Sequence, residues 1–162
     1  MNSGCANVIY EDRSGNIWIG LDDNLYRYSP ASASTEQIAL PSAPADLRFG
    51  YLSGMTEGPE GDLWITLALC GGASCWGENI YHLTECGWEQ VGEPSDMGGE
   101  KILFDATGQP WLFSAGSVYQ VSENTLQPIA GLIVQAATTD DDGNLWLVAQ
   151  SAGPPTLWKL EP

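Results

Sequence analysis

Short apolar segments recur along the chain, each closed by a polar, glycine-containing turn and each followed by a tryptophan-bearing segment. Ile17-Trp18-Ile19 and Leu145-Trp146-Leu147 are apolar on both alternating faces, the pattern of a strand covered on both sides. Before them lie apolar segments at Val8 to Glu11, Tyr51 to Thr56, Ile102 to Asp105 and Val134 to Thr138, separated from the Trp by a turn whose Gly can take positive φ. Helix signals are scarce, and this periodicity predicts antiparallel strands throughout.

Four segments align on Gly, a polar or small residue, an apolar residue or Pro, and Trp. They are Gly15-Asn16-Ile17-Trp18, Gly61-Asp62-Leu63-Trp64, Gly108-Gln109-Pro110-Trp111 and Gly143-Asn144-Leu145-Trp146. The Trp residues are spaced by 46, 47 and 35 residues, which brackets one propeller blade of about 40–50 residues. A second landmark follows each: Leu25-Tyr26, Ile80-Tyr81, Val118-Tyr119 and Leu157-Trp158. A closing short segment is expected near Gln37 to Ala39, Glu89 to Val91 and Leu126 to Ile129, with none in the fourth unit. The expectation is an all-β propeller domain over 1–162, built from four blade repeats of about four antiparallel strands, at approximately 5–42, 48–95, 99–131 and 132–162, the last lacking its outer strand.

The first unit, Glu11-Asp12-Arg13-Ser14-Gly15-Asn16-Ile17-Trp18-Ile19-Gly20 through Leu25-Tyr26-Arg27-Tyr28, resembles the two-component-regulator propeller repeat. That resemblance implies a blade repeat of the kind found in sensor parts of bacterial hybrid histidine kinases and in secreted proteins. Units two to four diverge from it: unit two has a long insertion before Tyr81, and unit three places Pro110 before its Trp. The repeat specifies architecture more sharply than function.

Composition narrows the partners. With 21 acidic residues against 5 Lys and Arg, the formal charge is −16, which repels nucleic acids and anionic membranes and permits cations, neutral glycans and basic protein surfaces. No apolar run approaches the roughly 18 residues of a membrane helix, so this segment is not expected to insert. An extracellular or periplasmic location is expected, with a cytoplasmic one also compatible.

Four Cys occur, at 5, 70, 75 and 86. Cys70 and Cys75 flank a four-residue loop and are the expected cross-strand disulfide, whereas Cys5 and Cys86 fall at opposite ends of the strands and are not expected to bond within one chain. A zinc set of Cys70, Cys75, His82 and Cys86 fails on distance along a strand. His82 is the only histidine and takes the place of Arg27, Gln120 and Lys159 in the other units, an ordinary exposed position. No Ser-His-Asp constellation or phosphate loop is present, so no enzyme activity, catalytic residue or cofactor is expected. The run Asp140, Asp141, Asp142, Gly143, Asn144 offers oxygens of the kind calcium uses, with Asp140, Asp142 and Asn144 as candidates, against the simpler reading of an acidic turn.

Trp18, Trp64, Trp111 and Trp146 read as repeat core. Trp76 and Trp88 lie outside the pattern, and Trp76 sits near Glu78 and Asn79 in the insertion of unit two. A ligand-binding rim is therefore expected from Asp22 to Asn24, Pro41 to Arg48, Cys70 to Asn79, Asp96 to Glu100 and Gln150 to Pro155. Asp22, Asp23, Arg48, Trp76, Glu78 and Asn79 are its candidate contacts. The leading expectation is a non-catalytic binding or sensor module for a glycan, small molecule or protein. The alternatives are a self-associating block, for example two chains giving eight blades, and, more remotely, a propeller lyase.

Overall fold

The computed structural model describes residues 6–21, 24–43, 48–71, 74–95, 99–114, 116–122, 125–151 and 153–160. Fifteen strands and no helix occur among them, so no helix is long and apolar enough to cross a membrane.

Four antiparallel meanders follow the four repeats. Blade 1 is β1 (Ala6–Glu11), β2 (Ile17–Leu21), β3 (Asn24–Ser29) and β4 (Ser34–Ile38). Blade 2 is β5 (Arg48–Glu57), β6 (Leu63–Gly71), β7 (Ser74–Thr84) and β8 (Gly87–Ser95). Blade 3 is β9 (Gly99–Phe104), β10 (Pro110–Ser114), β11 (Ser117–Ser122) and β12 (Thr125–Pro128). Blade 4 has three described strands, β13 (Ile133–Thr139), β14 (Leu145–Gln150) and β15 (Thr156–Leu160). This is an all-β propeller of four blades, and the first strands of successive blades adjoin one another.

The turn between the first two strands repeats in detail. Gly15, Gly61, Gly108 and Gly143 all have positive φ, between 77° and 88°, as the turn chemistry predicts. Pro110 stands at the first position of β10, where its missing N–H does not interrupt the ladder.

Alternation along each second strand divides its side chains between two neighbours. Trp18 faces blade 2 together with Leu25, and meets Leu63, Ile65, Leu67 and Tyr81 from that blade. Trp64 and Ile80 face blade 3 and meet Ile102, Leu112 and Val121. Trp111, Phe113 and Val118 face blade 4 and meet Val134, Leu145 and Leu147. Blades 1 to 3 thus present their Trp forward, and the next blade receives it on an apolar rear face. Burial of such side chains contributes about 1.5–3 kcal/mol each, so the three interfaces between blades hold the arc together.

Candidate functional site

The acid that opens each Trp turn organises it. Asp12 accepts bonds from the N–H of Ser14 (2.9 Å) and of Asn16 (2.8 Å), from Asn16 Nδ2 (2.9 Å) and from Trp18 Nε1 (2.8 Å). Asp105 does the same for Thr107, Gln109 and Trp111, and Asp140 for Asp142, Asn144 and Trp146. Burial raises the pKa of Asp12 and Asp105, but the converging donors outweigh it and leave both below the ordinary carboxylate value. At Asp140 the Trp146 and Asn144 side chains lead, and its pKa falls to about 2. Both Asp140 oxygens face N–H donors, and Asn144 turns its amide nitrogen towards them. The residues considered for calcium therefore hold the turn, and among the described residues no group of three or more His, Cys, Asp or Glu is placed to hold a metal ion.

A depressed folded-state pKa adds stability above the unfolded value near 3.8, and that stability is lost as pH falls towards about 2. Asp140→Asn should therefore be less stable than the parent at neutral pH, with the gap closing between about pH 4 and 2. Urea unfolding across that range measures it. A gap that stays constant to pH 2 would mean that the carboxylate charge does not support the turn.

Blade 2 departs from this arrangement. Gly58 occupies the position of Asp12, and Asp62, in the place of Asn16, supplies the carboxylate that accepts from Trp64 Nε1. The substitution is coupled: a Cβ at Gly58 would collide with the Asp62 carboxylate. Moving the acid brings it to a further partner, with Asp62 Oδ2 3.5 Å from His82 Nδ1. Glu89 Oε2 lies 3.4 Å from His82 Nε2 on the other side of the ring.

The register confirms that Arg27, His82, Gln120 and Lys159 stand opposite the four repeat Trp residues. Arg27 and Lys159 lie over their indoles at 5.5 and 5.8 Å. His82 lies over Trp64 at 4.8 Å between centroids, and Phe104 meets the same indole edge-on at 5.5 Å. With its side chain 20% exposed and flanked by two carboxylates, His82 is not the ordinary exposed position that its equivalents imply. The neighbours responsible come from a turn and from β8, which alignment of β7 alone does not bring to it.

Two clefts open beside the imidazole. One, of about 420 Å³, is lined by Trp64, His82, Gly108, Gln109, Pro110 and Ser122, between blades 2 and 3. The other, of about 460 Å³, is lined by Glu60, Asp62, His82, Leu83, Thr84 and Glu85. Both lie at the end of the strands where the first-to-second and third-to-fourth turns sit. The rim inferred from sequence uses the opposite end.

Of that rim, Asp22 and Asp23 lie outside the described residues, and Arg48, Trp76 and Glu78 are placed only as backbone positions in β5 and β7. Asn79 is 2% exposed, and its amide nitrogen contacts the Tyr81 hydroxyl at 3.5 Å. It is buried beside Tyr81 and is not an open loop contact, because the strand β7 runs past it from Ser74. Cys70 is disulfide-bonded and faces Cys75 in register. Cys86 is a free, exposed thiol, and Cys5 lies outside the described residues. Trp88 packs on the interface of blades 1 and 2 and donates to the Ala39 carbonyl at 2.7 Å.

Residues 1–23 match the model of the two component regulator propeller family, so the opening unit is similar to that repeat. No curated protein matches the chain. Among solved structures, the extracellular domain assigned to a hybrid two component system of B. thetaiotaomicron is similar over 97% of this chain and 22% of its own, with TM-score 0.65 and 18% identity. PorZ, a surface component of the type-IX secretion system of Porphyromonas gingivalis, is similar over 96% of this chain and 25% of its own, with TM-score 0.60 and 19% identity. A gluconolactonase of Xanthomonas campestris is similar over 97% of this chain and 62% of its own, with TM-score 0.59 and 13% identity. These likenesses show the propeller fold, and the chain spans about a quarter or less of the length of the first two.

Proposed function

We propose that this propeller module is non-catalytic and binds a small neutral or cationic polar ligand, a glycan or an organic cation, in the clefts beside His82. The observation that carries the reading is the replacement, in blade 2 alone, of the long cation or Gln by an imidazole seated on Trp64 between Asp62 and Glu89. An aromatic floor with convergent polar groups suits a sugar ring or an organic cation. Carboxylates around the clefts and a charge of −16 disfavour an anion. A place outside the cell, in a sensory or surface protein, is the setting that the likeness to the B. thetaiotaomicron extracellular domain favours.

The test is a titration of the ¹⁵N-labelled chain with neutral oligosaccharides and with small organic cations, following the Trp64 indole N–H. Specific, saturable shifts are expected with one of the two classes, weakened at least tenfold by His82→Ala. Absence of saturable shifts with both would overturn the reading. A rival enzymatic reading rests on the same imidazole, which stands between two carboxylates as an acid–base group can. Turnover of a bound ligand, abolished by His82→Ala, would favour it.

A further inference from the structure

The three interfaces between blades repeat one set of positions, and the two ends of the arc carry the same positions uncovered. On forward faces, Leu25, Ile80 and Val118 are 0%, 4% and 0% exposed, and their equivalent Leu157 in blade 4 is 66% exposed. Trp18, Trp64 and Trp111 are buried, whereas Trp146 is half-buried. On rear faces, Ile65, Leu112 and Leu147 are at most 2% exposed. Their equivalent Ile19 in blade 1 is half-buried, and Ile9, paired with it across β1 and β2, is 71% exposed.

The turns carry a second, independent record. A Cβ on Gly108 would meet Pro59 of the preceding blade, and one on Gly143 would meet Ala106 of the preceding blade. At Gly15 of blade 1 nothing lies within 4 Å. The slot that a preceding blade's turn fills at Gly108 and Gly143 is open there, whereas at Gly61 the neighbour is Glu57 of its own blade.

We infer that these two faces dock on each other between two copies of the chain, blade 4 of one packing its Trp146 face onto the Ile19 face of blade 1 of the other. A second copy is the occupant that fits, because one chain bears both the projecting Trp face and the receiving face. Two copies related by a two-fold axis satisfy both faces of both chains at once, as an eight-bladed ring. The contact continues an interface already present three times within the chain. It is independent of the ligand proposed for the His82 clefts, which lie in and beside blades 2 and 3.

One detail sets its strength. At the junction of blades 1 and 2 the backbone N–H of Arg13 donates to Glu57 Oε2 at 2.8 Å, and its guanidinium donates to the Pro59 carbonyl at 2.9 Å. At the inferred junction Asp141 has the place of Arg13, and Glu11 that of Glu57. Two carboxylates would therefore approach where a cation and an anion meet at the junction of blades 1 and 2.

Light scattering of the full 162-residue chain should give roughly 35 kDa, twice its 17.4 kDa. Val148 pairs with Leu157 on the Trp146 face, and Ile19→Glu and Val148→Glu, one on each docking face, should each give 17.4 kDa with an unchanged far-UV circular dichroism spectrum. Mixing the two variants should give a heterodimer held by one intact junction, the Trp146 face of the Ile19→Glu chain on the Ile19 face of the Val148→Glu chain, and weaker than the parent dimer because its other junction carries both substitutions. Asp141→Arg should tighten the parent dimer several-fold. A parent chain that stays at 17.4 kDa at millimolar concentration, or a dimer that survives both Glu substitutions, would each overturn the inference.

Discussion

Trp111→Ala is expected to lower the unfolding free energy by about 4 kcal/mol, the range for removing a large buried aromatic. The indole is 7% exposed and lies in the cluster that joins blades 3 and 4, among Phe113, Val118, Leu145 and Leu147. Its N–H donates to Asp105 Oδ2 at 2.9 Å, so the substitution also removes a donor from a buried carboxylate. Trp111→Phe separates the two effects: it keeps most of the ring and should lose only about 1.5–3 kcal/mol, the size of a hydrogen bond to a charged group. It should also raise the Asp105 pKa, since the Trp111 bond is among those that lower it. Urea unfolding at pH 7 and pH 4 reads both. Equal losses for the two variants would show that the ring itself does little packing.

Gly143→Ala is the second large effect, expected at about 3 kcal/mol. Its φ of +78° costs an L-residue about 1 kcal/mol or more. A Cβ there would also stand 2.8 Å from Ala106 Cα and 3.0 Å from Ala106 N, backbone atoms of the neighbouring blade. Overpacking of that kind adds about 1–3 kcal/mol. Gly131→Ala is the control, with φ +84° and nothing within 4 Å of its Cβ, and should cost about 1 kcal/mol. Thermal unfolding of the pair measures the difference. If both lose the same, the close approach of the two turns contributes nothing to blade packing.

Both effects rest on positions that the repeat makes visible. Trp111 and Gly143 are found by aligning four short segments, and the register then places Arg27, His82, Gln120 and Lys159 opposite the four Trp residues as that alignment requires. The closing strands expected near Gln37, Glu89 and Leu126 are β4, β8 and β12. Strand periodicity and turn glycines are local properties, so they are written in the chain directly.

The surroundings of His82 are different in kind. Its position opposite Trp64 follows from the repeat, but its two carboxylates come from Asp62 and Glu89, which only packing brings to one ring. A signal was present: unit two has Gly58 where units one, three and four have Asp, and Asp62 where units one and four have Asn. Read as a coupled exchange, that pair marks blade 2 as the altered one. Asn79 shows the converse, a polar residue in a variable insertion that alignment assigns to a loop and the strand β7 carries into the interior.

By itself, then, the sequence determined the repeat, the strand order within each blade and the packing Trp of each unit, because these depend on alternation and turn chemistry over a few residues. Only the tertiary structure decided which equivalent positions are covered. Leu25 and Leu157 are the same residue at the same place in the repeat, yet one is 0% and the other 66% exposed. A blade's burial depends on the blade packed against it, and that neighbour lies a whole repeat away in the chain.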